Sequence, residues 1–586
     1  MNNFKLVIAA GFACFFAAGT VHADAGDDLS RLMRDYRVSE GKLRPDESSG
    51  VYDEKRNADT LRARQRINEN TRGKLASIDA LILKAQDLLS YEIFGWSLDD
   101  EARELSPAIA ENFQLLALNQ FDGAQIIFPR QMQSRSEHPW TRSKDYDDAI
   151  GRMLRFTNGI DAAIGKMREG IKRGIVQPRA IVTRMIAQTE IFANGDPDDG
   201  LFMAPLKTMP DPIAGAERAR IEGAYREAVE GQLAPAYRRL LDFLKNEYLP
   251  HARESIGLSA IPGGKETYLY LVRSETTSDL TPDAIHALGL SDLARIEAAM
   301  ERVKNEAGFS GSLADFRVFL HNDSRFKFKD KDAMLGEFTR VKNTVDAHLS
   351  QLFITKPKSD LVFRFYEPYV APDRPAAEYT SASADGRRPG IVSLNASDLG
   401  ARPAYTSEAL AIHEGIPGHH MQVAISMENN ALPRFRRFGY ETAFTEGWAL
   451  YAETLGSDLG LYTDPYQKFG ALSFEAWRSS RLVVDTGIHW LGWTRFQAIA
   501  FLQTHAGLSE NEASEEVDRY IAIPAQALSY RIGEREILDL RNRAKAALGP
   551  KFDIRLFHEA VLKDGAMPLP ILDAKINRWI ASQKGT

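Results

Sequence analysis

The sequence predicts a mainly α-helical protein with one small β-sheet. Apolar residues recur at helical spacing from residue 27 to about 254, and again from residue 407 to the C-terminus. Strong strand patterns occur only at residues 361–366 and 390–394. The 586 residues include 42 glycines and 26 prolines, an ordinary globular composition that excludes a disordered or low-complexity chain.

The first half of the chain is expected to be a series of helices joined by short polar loops. Its clearest run places apolar side chains on one helical face between residues 75 and 89. These side chains are Leu75, Ile78, Leu81, Ile82, Ala85, Leu88 and Leu89. Turns are predicted at residues 137–139 and 194–197, where proline or glycine interrupts the pattern.

A junction rich in proline and glycine, residues 260–264, divides the chain. We expect an N-terminal helical part over residues 24–260 and a C-terminal part over residues 261–586, which carries the sheet. The two parts are expected to form one continuous two-lobed domain. Residues 281–283, Thr-Pro-Asp, provide an N-cap, a proline at the first helical position and an acid in the first turn, so a helix should begin there.

The N-terminus is typical of an export signal. Lys5 supplies a positive charge, residues 6–20 an apolar stretch, and small residues a cleavage site near Ala23, so residues 1–23 are predicted to be a signal peptide. The mature chain would then be periplasmic or secreted. A lipoprotein with Cys14 at its new N-terminus is the alternative. No later stretch is long and apolar enough to predict an integral membrane segment in the mature chain.

Charge and cysteine content restrict the possible partners and chemistry. With 73 basic and 80 acidic residues the net charge is −7, so no basic surface for nucleic acid is expected. The single cysteine, Cys14, lies within the predicted signal peptide. The mature chain would therefore have no disulfide, no zinc–thiolate site and no cysteine nucleophile, and a metal would have to be bound by imidazoles and carboxylates.

Three histidines and a glutamate cluster after residue 412. Zinc hydrolases commonly present two histidines four residues apart on one helical face, with a glutamate between them. Here His413 and Glu414 are followed by His419 and His420, six and seven positions after His413. Pro417 cannot donate an N–H to the carbonyl of His413, so the helix must widen or break. A widened turn would bring either His419 or His420 beside His413, with Glu414 facing a metal-bound water.

A third ligand is expected from a second helix around residues 444–453. Glu446 and Glu453 lie seven positions apart on one face of this helix. We expect one of them to bind the metal and the other to orient an imidazole from behind.

Several long motifs resemble the bacterial family known as domain of unknown function 885. They are His-Glu-Gly-Ile-Pro-Gly-His-His at 413–420, Glu-Gly-Trp-Ala-Leu-Tyr at 446–451, Asp-Gly-Arg-Arg-Pro-Gly at 385–390, Asp-Thr-Gly-Ile-His at 485–489, and Pro-Ala-Gln-Ala-Leu-Ser-Tyr-Arg-Ile-Gly at 524–533. The resemblance runs through nearly the whole mature chain.

That family in turn resembles the helical gluzincin peptidases, which include angiotensin-converting enzyme and the thermostable carboxypeptidases. The resemblance implies an elongated, mainly helical, zincin-like fold with a deep cleft and a small sheet beside the metal. It implies one Zn²⁺ per chain, bound by His413, His419 and Glu446. His420 is the alternative to His419, because three residues separate His-Glu from Gly-His where the peptidases have one or two.

The implied reaction is hydrolysis of an amide by a metal-activated water. Glu414 would take the proton of the water and deliver it to the leaving amine. The negative charge that develops on the substrate oxygen needs a donor besides the metal. Tyr530 is the first candidate, since the helical gluzincins use a phenol from a late segment, and His489 is the second.

The resemblance also suggests how a peptide would be held. An extended peptide would lie along residues 390–394 as the edge strand of the sheet. Arg387, Arg481, Arg531 or Arg535 would bind its C-terminal carboxylate.

The sequence thus predicts an exported zinc metallopeptidase that hydrolyses small peptides, in the manner of a carboxypeptidase or oligopeptidase. The first alternative is a non-catalytic peptide- or metal-binding protein with the same cleft. The second is a zinc hydrolase of non-peptide amides.

Overall fold

The computed structural model describes residues 24–43, 58–133, 140–195, 200–367, 371 and 374–585. The predicted signal peptide, the predicted turn at 137–139 and half of the turn at 194–197 lie outside these residues. Within them, 73% of the chain is helical and 3% is in strands, which confirms the mainly α class with a small sheet.

The helices of the first half are numbered in chain order. They are α1 (Ala25–Leu43), α2 (Ala58–Ala76), α3 (Ala85–Glu104), α4 (Pro107–Leu115), α5 (Ala124–Gln133), α6 (Ser143–Arg173), α7 (Arg179–Asn194), α8 (Ala204–Lys207), α9 (Gly215–Glu227), α10 (Ala234–Phe243), α11 (Gly264–Thr276), α12 (Pro282–Glu306), α13 (Leu313–Asn322) and α14 (Lys331–His348). The predicted start of α12 is confirmed, because the hydroxyl of Thr281 accepts a hydrogen bond from the N–H of Ala284.

The second half continues after the sheet. Its helices are α15 (Ser407–Glu414), α16 (His419–Glu428), α17 (Arg434–Arg437), α18 (Thr442–Glu453), α19 (Pro465–His489), α20 (Arg495–Phe501), α21 (Glu510–Ala522), α22 (Ser529–Leu548), α23 (Ile554–Leu562) and α24 (Leu569–Lys584).

The prediction of one helical face over residues 75–89 is wrong. Helix α2 ends at Ala76, a 3₁₀ turn spans Ala80–Ile82, and α3 begins at Ala85. The carboxylate of Asp79 accepts a hydrogen bond from the N–H of Leu81, and this local bond competes with continuation of the helix. Leu81 is 94% exposed, so its apolar spacing did not indicate a buried face.

The sheet has three strands, β1 (Leu361–Phe365), β2 (Ala377–Thr380) and β3 (Gly390–Leu394). Strand β3 lies in the centre, parallel to β1 and antiparallel to β2. The expectation that β3 is an edge strand is therefore wrong, and all five of its residues are buried. The sequence missed β2, because four residues reading Ala-Glu-Tyr-Thr give too short a pattern to predict a strand.

Two large apolar cores share helix α19. One core collects residues from α3 to α24, including α14, α15, α18, α22 and all three strands. The other collects residues 118–256 together with α19, α20 and α21. Leu482 belongs to the first core and Val484 to the second, so α19 lies between them. The predicted division at residue 260 stays a prediction.

Helices α18 and α22 pack with their backbones in contact. A Cβ atom on Gly447 would overlap the backbone of Gly533, and a Cβ on Gly533 would overlap the carbonyl oxygen of Ala443. Two glycines at the crossing point thus bring Glu446 of α18 and Tyr530 of α22 into the same region of the molecule.

Among the residues that the structure describes, no helix combines the length and the apolarity that a membrane crossing requires.

Candidate metal and catalytic site

The predicted break at Pro417 separates α15 from α16. The bond between Ile416 and Pro417 is cis. A Cβ atom on Gly418 would overlap the carbonyl oxygens of Ile412 and His413, so this approach of two backbone segments requires glycine. The chain folds back over these residues, and α16 begins directly with His419.

The reversal places His413 and His419 side by side. Their ring centroids are 4.8 Å apart and the rings are nearly perpendicular. Glu446 approaches from α18, with its Oε2 atom 3.7 Å from Nε2 of His413 and 3.4 Å from Nε2 of His419. One ligand atom from each of the three residues lies within 4.8 Å of the other two. In a tetrahedral zinc site with bonds of 2.0–2.1 Å, neighbouring ligand atoms lie roughly 3.4 Å apart. The distance from Glu446 to His419 matches this spacing, and the distance from Glu446 to His413 is slightly longer.

The Oε2 atom of Glu446 fits a role as a metal ligand. The residue is buried, and this oxygen has no hydrogen-bond partner within the described parts of the chain. Leaving a buried carboxylate oxygen unpaired costs free energy that a bound cation removes. Two imidazoles and one carboxylate are also a known zinc ligand set. The residues present therefore fit a zinc ion.

Glu453 lies behind His413, on the side away from Glu446. Its Oε1 atom is 2.8 Å from Nδ1 of His413, which donates the hydrogen bond. Because Nδ1 is bonded to Glu453, Nε2 is the nitrogen that faces the cluster and the one that would bind a metal. Arg478 of α19 in turn approaches Glu453, with Nη2 3.8 Å from the same oxygen.

Glu414 follows His413 directly and is held by the sheet. Its Oε2 atom accepts a hydrogen bond of 2.9 Å from the N–H of Tyr379, in β2. Burial raises the pKa of Glu414, while the neighbouring His413 and His419 lower it by a smaller amount. The strand that the sequence missed therefore orients the residue predicted to be the general base.

The opposite charges of the histidines and carboxylates in the cluster stabilise one another. Burial alone would lower the pKa of His413, but Glu446 and Glu453 raise it to about 10. Burial would raise the pKa of Glu446, yet His419 and His413 hold it well below its usual range. The cluster is thus built to keep opposite charges together in a buried setting.

His420 lies elsewhere, against the sheet. The hydroxyl of Tyr379 is 3.1 Å from its Nδ1, and its Nε2 donates to the carbonyl of Ser359 at 3.1 Å. A Cβ on Gly390 would overlap the His420 ring, so the start of β3 is shaped to admit this histidine. Of the two histidines between which the sequence left a choice, the structure brings His419 next to His413 and Glu446.

The two candidate oxyanion donors lie in different environments. His489 is fully buried; its Nδ1 accepts from the N–H of Leu258, and its Nε2 donates to the carbonyl of Tyr520. Both ring nitrogens are therefore occupied by the backbone. The hydroxyl of Tyr530 accepts a hydrogen bond of 3.3 Å from Arg519.

Tyr440 is a site residue that the sequence did not suggest. Its hydroxyl donates to Oε1 of Glu446 at 3.4 Å, and its side chain is largely exposed. Tyr440 lies in the loop before α18, so the helical periodicity around Glu446 gave no sign of it. Only the tertiary structure places it beside the cluster.

Of the arginines predicted to bind a substrate carboxylate, three are matched by carboxylates of the chain. Arg387 is exposed and pairs with Asp385 in the same loop. Arg531 contacts Asp292 and Glu534 in the interior, and Arg535 also contacts Asp292. These pairs account for the charges of Arg387, Arg531 and Arg535.

Arg481 differs, because it faces Tyr530. Its guanidinium lies 4.5 Å from the centre of the Tyr530 ring and also contacts Glu516 and the hydroxyl of Tyr520. Two neighbours of Arg481 were not suggested by the sequence: Arg478, which also stacks on Trp477, and Arg519, which shares Glu516 with it. A surface role is the default expectation for an arginine, so only the packing reveals these two.

Two solved structures resemble this chain over almost its whole length. The crystal structure of a protein from Colwellia psychrerythraea, described as a "putative lipoprotein", is 27% identical, with a TM-score of 0.84 and coverage of 95% of this chain and 100% of its own. A "putative lipoprotein of unknown function" from Shewanella oneidensis is 19% identical, with a TM-score of 0.69 and coverage of 94% and 99%, and shares the fold. No curated protein matches the chain.

The motifs on α15, α16, α18 and α22 agree with a family-level match. The model of the family described as bacterial protein of unknown function (DUF885) matches residues 45–576, and the chain belongs to this family.

Proposed function

We propose that this protein is an exported zinc-dependent peptidase that hydrolyses small peptides. The observation that carries the proposal is the convergence of His413, His419 and Glu446 on one buried point, with Glu414 adjacent in sequence and space. The resemblance to the helical gluzincin peptidases, which share the His-Glu and Gly-His elements, supports the same assignment.

Each residue of the cluster has a role in this proposal. His413, His419 and Glu446 hold the ion, which when bound lowers the pKa of a water ligand and polarises a carbonyl oxygen. Glu414 accepts the proton of the attacking water and passes it to the leaving amine, and the N–H of Tyr379 holds its carboxylate in place. Glu453 keeps His413 in the tautomer that a metal requires.

Tyr530 and Tyr440 are the proposed sources of stabilisation for negative charge on the substrate. Tyr440 contacts Glu446, and Tyr530 lies on α22, which packs against α18 at Gly447 and Gly533. A phenol hydroxyl at this place can donate to the oxygen of a tetrahedral species. His489 is not assigned this role, because both of its nitrogens are bonded to the backbone.

The experiment measures bound zinc and peptide hydrolysis in wild type and in a variant of the proposed general base, Glu414. Wild type and Glu414→Gln are dialysed, analysed for bound zinc, and incubated with a mixed peptide pool whose products are read by mass spectrometry. We expect one zinc ion per chain in both proteins and new peptide termini with wild type alone, because Gln keeps the shape but not the basicity. Equal product profiles would remove the proposal. If wild type hydrolyses non-peptide amides in a parallel panel and cleaves no peptide, the result would favour the alternative of a zinc hydrolase that acts on non-peptide amides.

Export is part of the same proposal. The first 23 residues support it, and the likeness to proteins described as "putative lipoprotein" keeps lipid attachment at Cys14 as the alternative. N-terminal sequencing of protein recovered from the cell envelope distinguishes the two. We expect a chain beginning at Asp24, and a lipid-modified chain beginning at Cys14 would contradict this.

A further inference from the structure

His420 is a buried histidine that the proposed mechanism does not use. It follows the candidate ligand His419 directly on α16, yet it lies outside the metal cluster and is fully buried. Its Nε2 donates to the carbonyl of Ser359 at 3.1 Å, and the hydroxyl of Tyr379 lies 3.1 Å from its Nδ1. Because a carbonyl oxygen can only accept, the proton of the neutral ring is on Nε2, and Nδ1 accepts from Tyr379. His420 therefore joins the segment before β1 to a side chain of β2.

Tyr379 is the residue through which β2 reaches Glu414. Its backbone N–H donates to Oε2 of Glu414 at 2.9 Å, while its ring packs edge-on against the His420 ring, with the centroids 5.6 Å apart. The same residue thus contacts the proposed general base with its backbone and His420 with its side chain. Fixing the hydroxyl of Tyr379 limits the movement of the whole residue, including its N–H.

Strand β2 depends on such side-chain contacts for its position. It has four residues, Ala377–Thr380, lies at the edge of the sheet, and pairs with β3 on one side. Glu414 approaches from the other side. An edge strand has one neighbouring strand instead of two, so its outer edge is held less firmly than a central strand. The bond from Tyr379 to His420 supplies a second point of attachment.

The start of β3 is shaped to admit both rings. A Cβ atom on Gly390, the first residue of β3, would overlap Nδ1 of His420 and crowd the ring of Tyr379. Glycine at this position lets the two rings meet beside the sheet. The contact between His420 and Tyr379 is therefore part of the way α16 packs against the strands.

Helix α16 is tied to the segment before β1 at both of its ends. At its start His420 donates to the carbonyl of Ser359, and at its end the carboxylate of Glu428 accepts from the N–H groups of Lys358 and Ser359. His419 lies at the start of the same helix. The helix that carries a candidate metal ligand is thereby held in a fixed relation to the sheet that contacts Glu414.

We propose that His420 is a positioning residue for Glu414, on which it acts through Tyr379 and strand β2. By holding the hydroxyl of Tyr379, it keeps the edge strand where its N–H meets Oε2 of Glu414, and so fixes the direction of that carboxylate beside the candidate metal ligands. This role rests on the proposed peptidase function, in which Glu414 takes the proton of the attacking water. A misplacement of about 1 Å costs about 100-fold in rate, so a residue two contacts away from the base can determine the rate without touching the substrate.

Two substitutions separate the two hydrogen bonds of His420. In His420→Asn the side-chain amide takes the place of Nδ1, so it still accepts from the Tyr379 hydroxyl but no longer reaches Ser359. In His420→Gln the longer side chain places an amide N–H near the position of Nε2, so the bond to Ser359 remains and the bond to Tyr379 is lost. Tyr379→Phe removes the same bond from the other side and keeps the backbone N–H, and it serves where a His420 variant does not fold.

Peptide hydrolysis by these variants measures the effect on the reaction. We expect His420→Gln and Tyr379→Phe each to lower kcat about 10- to 100-fold, with KM and bound zinc unchanged, because the metal ligands stay in place. His420→Asn should keep nearly the wild-type kcat. The double variant of His420→Gln and Tyr379→Phe should be no slower than either single variant, since both changes remove one and the same bond.

Hydrogen exchange measures the same contact without any turnover. Deuterium uptake, resolved to the Tyr379 amide by fragmentation mass spectrometry, reports how firmly its N–H is bonded to Glu414. We expect uptake at this amide to be about 10-fold faster in His420→Gln and in Tyr379→Phe, and unchanged in His420→Asn.

His558 offers a matched control for the loss of a buried histidine. Like His420 it is fully buried and bridges a tyrosine hydroxyl, that of Tyr451, and a backbone carbonyl, that of Leu352. His558→Asn removes its bond to Tyr451 at a place that does not contact Glu414. It should keep the wild-type kcat and the wild-type uptake at Tyr379.

The outcomes separate this proposal from the peptidase proposal. Wild-type kcat and uptake in a folded His420→Gln protein would overturn the positioning role, and so would equal losses in His420→Asn, His420→Gln and His558→Asn. Loss of zinc together with activity in His420→Gln would overturn it as well, since His420 would then act on the metal. If wild type hydrolyses no peptide, the peptidase proposal fails and the exchange measurement decides. Faster uptake in His420→Gln but not in His420→Asn would then support the positioning of Glu414 by His420, and unchanged uptake would overturn it.

Discussion

The carboxylate of Glu453 determines which nitrogen of His413 faces Glu446. Because Nδ1 donates to Glu453, Nε2 is the nitrogen that would bind a cation. From the seven-residue spacing of Glu446 and Glu453 the sequence predicted one metal ligand and one orienting carboxylate, and left open which residue takes which role. It left the choice between His419 and His420 open, since that choice depends on the path of residues 415–418.

The first prediction distinguishes His419 from His420 as the second metal ligand. His419→Ala should lose the bound zinc, because it removes one of three protein ligands. His420→Ala should keep one zinc ion per chain, because His420 bonds to Tyr379 and Ser359 instead. Metal content after dialysis measures both, with circular dichroism as the control for folding. Loss of zinc from a folded His420→Ala protein alone would reverse the assignment.

The second prediction concerns Glu453→Gln. The neutral amide is a weaker acceptor for Nδ1 of His413, so zinc affinity should fall about 10- to 100-fold. Competition with a coloured chelator measures the dissociation constant. Glu428→Gln, on α16 and bonded to the backbone of Lys358 and Ser359, is the control with expected wild-type affinity. An unchanged affinity in Glu453→Gln would show that Glu453 does not orient the ligand.

At the scale of elements, the cluster depends on the break at Pro417, on strand β2 and on the contact of α18 with α22. The sequence indicated the break at Pro417, because proline is incompatible with a helix interior. It did not indicate β2 or the contact of α18 with α22. Those features depend on tertiary packing, through the backbone N–H of Tyr379 and the facing glycines 447 and 533, and neither leaves a periodic pattern.

The third prediction tests the break between α15 and α16. Gly418→Ala forces a Cβ against the carbonyl oxygens of Ile412 and His413, so it should destabilise the protein by about 2 kcal/mol, in the range of overpacking. Chemical denaturation measures the change. The control is Gly165→Ala in the middle of α6, where the new Cβ meets no atom within 4 Å. That variant should be neutral or slightly more stable, and equal effects of both changes would contradict the close approach at Gly418.

At the scale of the whole molecule, α19 joins the two cores and presents different residues to each neighbour. The motif at residues 485–489 illustrates this. Asp485 accepts from the hydroxyl of Tyr268 and the N–H of Ala525, and His489 bridges the backbone of Leu258 and Tyr520. The motif thus joins distant segments of the chain. It was recognisable in the sequence as a family motif, but its contacts form only in the fold. Arg478 and Arg519 escaped prediction for the same reason, since their contacts with Glu453 and Tyr530 form only in the fold.

The fourth prediction uses a half-buried group of acids where α3, α11 and α18 meet. Burial, with Asp100 and Glu275 nearby, raises the pKa of Glu441 from 4.5 to about 8. The protonated form therefore stabilises the fold below about pH 4.5, and this contribution is lost as the pH rises through 8. Glu441→Gln keeps the neutral form, so it should stabilise the protein relative to wild type more at pH 8 than at pH 5. The gain should be at least about 1 kcal/mol, since one pKa unit corresponds to about 1.4 kcal/mol.

Thermal unfolding of wild type and Glu441→Gln at the two pH values measures this difference. The exposed Glu266 of α11 offers a matched control, and Glu266→Gln should show nearly equal effects at both pH values. A Glu441→Gln protein that loses stability relative to wild type as the pH rises would contradict the raised pKa.

The central claim is that His413, His419 and Glu446 bind one zinc ion. Anomalous diffraction at the zinc absorption edge, from crystals of the protein grown with stoichiometric zinc, tests it most directly. We expect one strong peak within coordination distance, about 2.0–2.2 Å, of Nε2 of both histidines and a carboxylate oxygen of Glu446. A fully ordered site region with no peak there, or with the only strong peak elsewhere, would contradict it.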